Sequence, residues 1–260
     1  MMRNSAAAVE TGLDAAALKP AEVDVARAAD LPLERLVIDW EGDEHLPDLE
    51  TLADLSAGAD VRVTAPVRAD GFDPLGDDRL LAGLPDGVGH VFVAGHPAYL
   101  TEGERGRAIS PRLGAAADAH PDAWVGTESV ERAALATGNA QFELLSRGTD
   151  REIRGLRGAG FDGKIAVYAP TALTDDEDAL LEAFGDYVAR RGAVERALPD
   201  GAPTDATATG RAREVLLAAI DDYALAGAPS AVRTQVDDLK AAGADYVVGY
   251  PARGLDDFLG

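Results

Sequence analysis

The chain has 260 residues, 47% of them apolar, with 46 acidic side chains against 24 basic ones and a net charge of −22. That length suits one large α/β domain with a sizeable core, and the lack of cysteine excludes disulfides and thiolate metal sites. So large an acidic excess leaves no basic stripe to neutralise phosphates, which excludes nucleic acid as a natural partner.

The elements follow a simple rhythm. Leu13–Leu18 is a weak first strand candidate, because it is alanine-rich. Leu36-Val37-Ile38, Val61-Arg62-Val63 and Val91-Phe92-Val93 come next. Trp124-Val125, Phe142–Leu145, Ile165–Tyr168 and Tyr246-Val247-Val248 complete the set. Each is short and apolar, rich in β-branched or aromatic residues, and most lead into a helix-like stretch. Continuous rather than alternating apolar character predicts strands covered on both faces, as in a parallel sheet.

Helix starts are marked between them. Thr101–Glu104, Thr149–Glu152 and Thr174–Glu177 each place a hydroxyl three residues ahead of a Glu, the capping-box pattern. Pro229 opens a helix that Ala242-Gly243 closes. The stretch 191–208, with its Pro, Gly and Thr residues, reads as an inserted loop between two helices. Eight β-α units in one domain spanning 1–260 predict a (β/α)8 TIM barrel. The competing open doubly wound sheet lacks a Gly-x-Gly-x-x-Gly after its first strand.

In such a barrel, function collects at the C-terminal ends of the strands. Those positions hold Lys19, Asp39, Trp40, His45, Thr64, the Ala65-Pro66 bond, His96, Thr127, Glu128, Ser146, Tyr168, Tyr250 and Arg253. Asp39, His45 and His96 are the candidate catalytic acids or bases. Gly126–Ser129 and Gly249–Gly254 are small-residue loops of the kind that hold phosphate on backbone N–H groups, with Arg253 adding a permanent charge. The four histidines, His45, His90, His96 and His120, are too scattered to predict a metal site.

The stretch "AWVGTESVERAALATGNAQFELLS" (123–146) resembles the strand–glycine loop–helix–strand unit of the bacterial luciferase-like family. "KIAVYAPTALTDDEDALLEAFGDYVARR" (164–191) and "LAGAPSAVRTQVDDLKAAGADYVVGYPARG" (225–254) are similar to later units of that family. The resemblance implies a luciferase-like barrel with an insertion near residues 191–208, and an oxidoreductase that uses FMN or coenzyme F420. It implies that Gly126 and Thr127 contact the cofactor phosphate, with Gly249 and Arg253 beside it. It also puts His45 near the ring and Thr64-Ala65 at a cis-peptide bulge, where Ala65-Pro66 supplies the low-cost bond. Two other readings stand beside it: a barrel that has lost the cofactor and serves as a binding or scaffold protein, and another TIM-barrel lyase or isomerase using Lys19 or Asp39.

The expected partner is a small-molecule substrate, with a homodimer allowed. No apolar run nears the ~18 residues of a membrane span, and Met1–Val9 has no hydrophobic signal core, so a cytoplasmic protein is expected. A carboxylate-rich surface with three lysines, Lys19, Lys164 and Lys240, suits a halophilic cytoplasm, where molar salt shortens the Debye length to about 3 Å.

Overall fold

The computed structural model describes residues 7–260; residues 1–6 of the Met1–Val9 stretch lie outside the described residues. Nine strands form one parallel sheet: β1 (Ala15–Leu18), β2 (Arg35–Ile38), β3 (Asp60–Pro66), β4 (Gly89–Val93), β5 (Trp124–Gly126), β6 (Ala140–Leu144), β7 (Ile165–Ala172), β8 (Leu225–Ala226) and β9 (Tyr246–Pro251). Strands β1 to β7 pair in sequence, β9 pairs with β7, and β9 returns to β1 through Ala15↔Val248 and Ala16↔Gly249. Eight strands therefore close a (β/α)8 barrel. The two-residue β8 stands outside the ring and pairs with the end of β7, Thr171↔Leu225.

Alternation along the strands sorts side chains to two sides. Leu18, Leu36, Ile38, Val61, Val63, Val167 and Val247 pack outward under helices. Ala15, Ala17, Val37, Val91, Trp124, Phe142, Ala166, Val248 and Tyr250 form a separate core cluster, the lumen. The lumen is lopsided. Alanines on β1 leave the room that the aromatic rings of β5, β6, β7 and β9 fill. That complementarity explains why an alanine-rich segment with little strand propensity is a strand here.

The lower, N-terminal end of the lumen is plugged. The rings of Trp124 and Tyr246 stack at 5.5 Å and 16°. The Arg35 guanidinium lies 4.3 Å from the Tyr246 ring centroid, and that of Arg62 lies 4.7 Å from Trp124. Asp60 joins the two cations, 2.8 Å from Arg35 Nε and 3.3 Å from Arg62 Nε.

Local details depart from the sequence pattern in instructive ways. The Thr101 capping box forms. Thr149 instead accepts from the Ser146 N–H at 2.8 Å, and Gly148 takes the cap position. Thr174 yields to Asp176, whose carboxylate accepts from the N–H groups of Asp178 and Ala179. Carboxylates compete well for helix N-terminal donors. The helix Pro229–Ala242 starts and stops as expected, with Gly243 at φ +121° closing it. The stretch 191–208 contains a short helix, Gly192–Glu195, and is held close to helix Glu177–Ala189. A Cβ on Gly185 of that helix would lie 1.6 Å from the Thr204 carbonyl oxygen, so the insertion packs there because residue 185 has no side chain. Among the described residues no peptide bond is cis. The expected bulge at Thr64-Ala65 is thus a regular ladder, Ala65↔Phe92 and Pro66↔Val93, and the hydrogen-bonded pairing with β4 holds the trans form.

Candidate functional site

At the upper end of the barrel the strands deliver a group of polar side chains to one place. The residue after β2 is Asp39. Its N–H extends the ladder to the Leu18 carbonyl at 2.8 Å, and the next N–H, of Trp40, donates to Thr64 Oγ1 at 2.7 Å. Neighbours on both sides thus fix the corner that carries Asp39. Inside the lumen, Asp39 Oδ2 accepts a hydrogen bond from the Tyr168 hydroxyl at 3.3 Å. The Tyr168 ring lies nearly parallel to that of Tyr250, 6.3 Å away at 11°. The Tyr250 hydroxyl donates to Glu22. Lys19, the residue after β1, places Nζ 4.3 Å from the Tyr250 ring centroid and 3.4 Å from Glu22 Oε1. Glu41 accepts from the Ala21 N–H at 3.0 Å and ties the loops after β1 and β2 together.

Burial pushes the Asp39 carboxyl up to about 7; the Lys19 charge and the Tyr168 hydrogen bond oppose this, while Glu41 and Glu22 add to it. Burial also raises both phenols, helped at Tyr168 by Asp39 and at Tyr250 by the bond to Glu22. Asp39 and Tyr168 nevertheless keep partial solvent contact, as expected of groups lining an open mouth. A half-protonated carboxyl at neutral pH is suited to giving and taking protons.

The other candidates are placed differently. His45 sits six residues past Asp39 on the exposed turn Asp43–His45, with Nε2 4.0 Å from Glu44. His96 is exposed and caps its own turn, its Nδ1 accepting from the Ala98 N–H at 3.2 Å. Both contacts are local. Ala65 packs outward with Phe92. Gly126 faces Val93, which a Cβ would meet at 2.9 Å. The Thr127 N–H donates to the Phe142 carbonyl at 3.1 Å, and its hydroxyl donates to Glu143 at 2.6 Å. Gly249 faces outward beneath Leu13 and Phe258. Arg253 is committed to Asp257 at 2.9 Å. Burial raises the Glu143 carboxyl, and Glu152, Glu131 and Glu128 raise it further. The loop after β5 is therefore acidic, with the donors of Thr127 already used.

Sequence reasoning picked out Lys19, Asp39, Tyr168 and Tyr250 by strand-end position, and it missed Glu22 and Glu41. It also missed a cleft of about 340 Å³ beside the mouth, lined by Ser146, Arg147, Gly148, Arg151, Glu152 and Tyr223. A second cleft of about 350 Å³ lies at the lower end. It holds His90, driven down to about 4 by burial and by His120.

The closed parallel ring with a polar upper mouth defines a TIM-barrel protein. The model of DUF7388, a family of unknown function, matches residues 8–258, and the chain belongs to that family. No curated protein matches it by sequence. Among solved structures it is similar to an F420-dependent secondary alcohol dehydrogenase in complex with an F420-acetone adduct, at 12% identity and a TM-score of 0.59, covering 94% of each chain. It is also similar to apo-MsnO8, at 16% identity and a TM-score of 0.53, covering 93% of this chain and 92% of that one. At these identities the likeness establishes the fold. Among the described residues no helix is long and apolar enough to cross a membrane.

Proposed function

We propose that this barrel is an oxidoreductase of the luciferase-like type, acting on a small organic substrate at its upper mouth with the aid of FMN or F420. The observation that carries the reading is Asp39, a carboxyl near neutrality inside an aromatic mouth and hydrogen-bonded by Tyr168. The solved structure of an F420-dependent dehydrogenase with the same fold supports the choice of cofactor class.

The residues present fit such a group in part. Flat faces at Tyr168 and Tyr250 suit a planar ring. The loop after β5 does not suit an anionic tail, because Thr127 has no free donor and Glu128, Glu131, Glu143 and Glu152 surround it. Arg147 and Arg151 in the adjoining cleft are the groups that would hold the tail. When bound, the ring supplies the centre that exchanges a hydride with substrate. The chain's own part is acid–base work. Asp39 takes or returns the substrate proton at Oδ2, Tyr168 holds that oxygen in place, and the tyrosine pair lowers water access. Lys19 Nζ is engaged by Glu22 and the Tyr250 face rather than presented free to a carbonyl substrate.

Titration of the purified protein with FMN and with F420, followed by fluorescence and absorbance, tests this. Micromolar binding of one of them is expected, weakened at least tenfold (~1.4 kcal/mol) in the double variant Arg147→Ala/Arg151→Ala. If neither saturates the protein at about 1 mM, a binding energy of ~4 kcal/mol, the reading fails and a barrel that has lost its cofactor remains.

A further inference from the structure

Beside the mouth, three elements bring aromatic and basic side chains to one cleft. Helix Glu177–Ala189 carries Tyr187, with Arg191 just past its end, and helix Gly210–Tyr223 ends on Tyr223. The loop after β6 adds Ser146, Arg147 and Gly148. Tyr223 lines the cleft of about 340 Å³. The Arg191 guanidinium lies 5.4 Å from its ring centroid and 4.5 Å from that of Tyr187. This face-on placement leaves two polar atoms, Arg191 Nε and Tyr187 Oη, buried without a hydrogen-bond partner among the described residues. Buried donors are paired in nearly all folded chains, so two orphans side by side mark a place for a partner from outside. Both residues keep partial solvent contact, and a small shift of the Tyr223 ring opens them to the cleft. The cluster adjoins the acid–base pair: burial chiefly raises the Tyr168 phenol, with Asp39 and Tyr187 among the neighbours that add to it.

We propose that Arg191, together with Tyr187, anchors a carboxylate of the substrate, and that the class of molecule taken at this mouth is a small monocarboxylic acid. The guanidinium offers Nε and a terminal nitrogen as a fork that matches two carboxylate oxygens, and Tyr187 Oη donates a third hydrogen bond. A singly charged group fits better than a phosphate dianion. Glu152 lines the cleft, and Glu128 stands near Tyr187, where burial raises the phenol, Arg191 opposes this and Glu128 adds to it. Arg147 and Arg151 remain for the cofactor tail. This adds a substrate class to the reading above and rests on it for calling the ligand a substrate; the anchor itself is tested without cofactor.

The test titrates 4-fluorobenzoate into the full chain and follows its fluorine resonance together with the Arg191 Nε–H signal. Saturable binding is expected, with the Nε–H proton moving downfield. Arg191→Gln should lose about tenfold or more in affinity, the range for a charged hydrogen bond, and Tyr187→Phe, which keeps the ring, about threefold. Arg191→Lys keeps the charge without the fork and should recover only part of the loss. The double variant Arg147→Ala/Arg151→Ala should lose no more than about threefold, since exposed charges act weakly across solvent. The neutral isostere 4-fluorobenzamide should not bind. The proposal is overturned if the parent shows no saturable binding, if Arg191→Gln binds as well as the parent, if the double variant loses as much as Arg191→Gln, or if the amide binds as tightly as the acid. Displacement of the probe by an equal concentration of inorganic phosphate would also overturn it, as the site would then belong to phosphoryl ligands. Should Arg191→Gln fail to fold, as judged by circular dichroism, the parent, Arg191→Lys and Tyr187→Phe still decide. No flavin or F420 is present in this assay, so its failure is distinct from failure of the cofactor titration.

Discussion

Strand β9 carries two lumen-facing tyrosines four residues apart, and each has a cation 4.3 Å above its ring: Arg35 over Tyr246 at the floor, Lys19 over Tyr250 at the mouth. The contacts match; their surroundings do not. At the floor Asp60 is shared between two guanidiniums, and the stack of Tyr246 on Trp124 seals the lumen. At the mouth the ammonium of Lys19 pairs with Glu22 at 3.4 Å, and burial raises the nearby Asp39 carboxyl to about 7. A guanidinium with its planar fork is suited to a fixed joint, whereas an ammonium on a flexible stem is suited to an exchangeable contact. The pairing of a tyrosine ring with a cation therefore builds a sealed floor at one end of the barrel and part of an open mouth at the other.

The floor should break most severely. Trp124 is nearly buried and touches Tyr246, Phe142, Arg35 and Arg62. Replacing it by Ala removes a large ring, leaves a cavity and takes away the ring face that Arg62 stacks on. A loss of about 3–5 kcal/mol is expected, read as a lower urea midpoint. An equally stable Trp124→Ala variant would mean that the stack is incidental.

Asp60→Asn comes next. It leaves Arg35 and Arg62 side by side without a counter-charge. Because the Asp60 side chain is about one-third exposed, solvent screens part of the repulsion, and a loss of about 1–3 kcal/mol is expected. Raising the salt concentration should recover some of it, which a purely steric defect would not show.

How far the sequence revealed these two ends follows from their chemistry. The barrel was legible because its strands are continuous apolar runs, and Asp39, Lys19, Tyr168 and Tyr250 were legible because strand ends point to a mouth. Glu22 was not. It reaches Tyr250 across 228 residues of chain, and nothing in "KPAEVD" announces that. Asp39, His45 and His96 were the candidate acids, the histidines because imidazoles titrate near neutrality unaided. Burial gives the same property to Asp39, and burial is not visible in a single sequence. The floor was missed as well, although Arg35 and Asp60 open their strands and Arg62 interrupts an apolar one. Inward-pointing charge at strand starts is a signal that becomes readable once alternation is traced through the register Arg35↔Asp60.

The smallest expected effect has the opposite sign and is the sharpest contrast. Asp39 titrates at about 7 in the folded chain against 3.8 when unperturbed. Between those values the folded state keeps a proton that the unfolded state releases, so Asp39 lowers stability progressively as pH rises through that window, and the penalty is complete above 7. Asp39→Asn removes the penalty while leaving an acceptor for the Tyr168 hydroxyl. At pH 8 the variant should be more stable by about 1–2 kcal/mol, a value discounted for the solvent that still reaches the group. Near pH 4 the two chains should melt together. Asp60→Asn is expected to destabilise at pH 8, so one conservative exchange should weaken the floor and strengthen the mouth. A variant at Asp39 that is less stable than the parent at pH 8 would make the mouth another structural joint, and would remove the reason for assigning it chemistry.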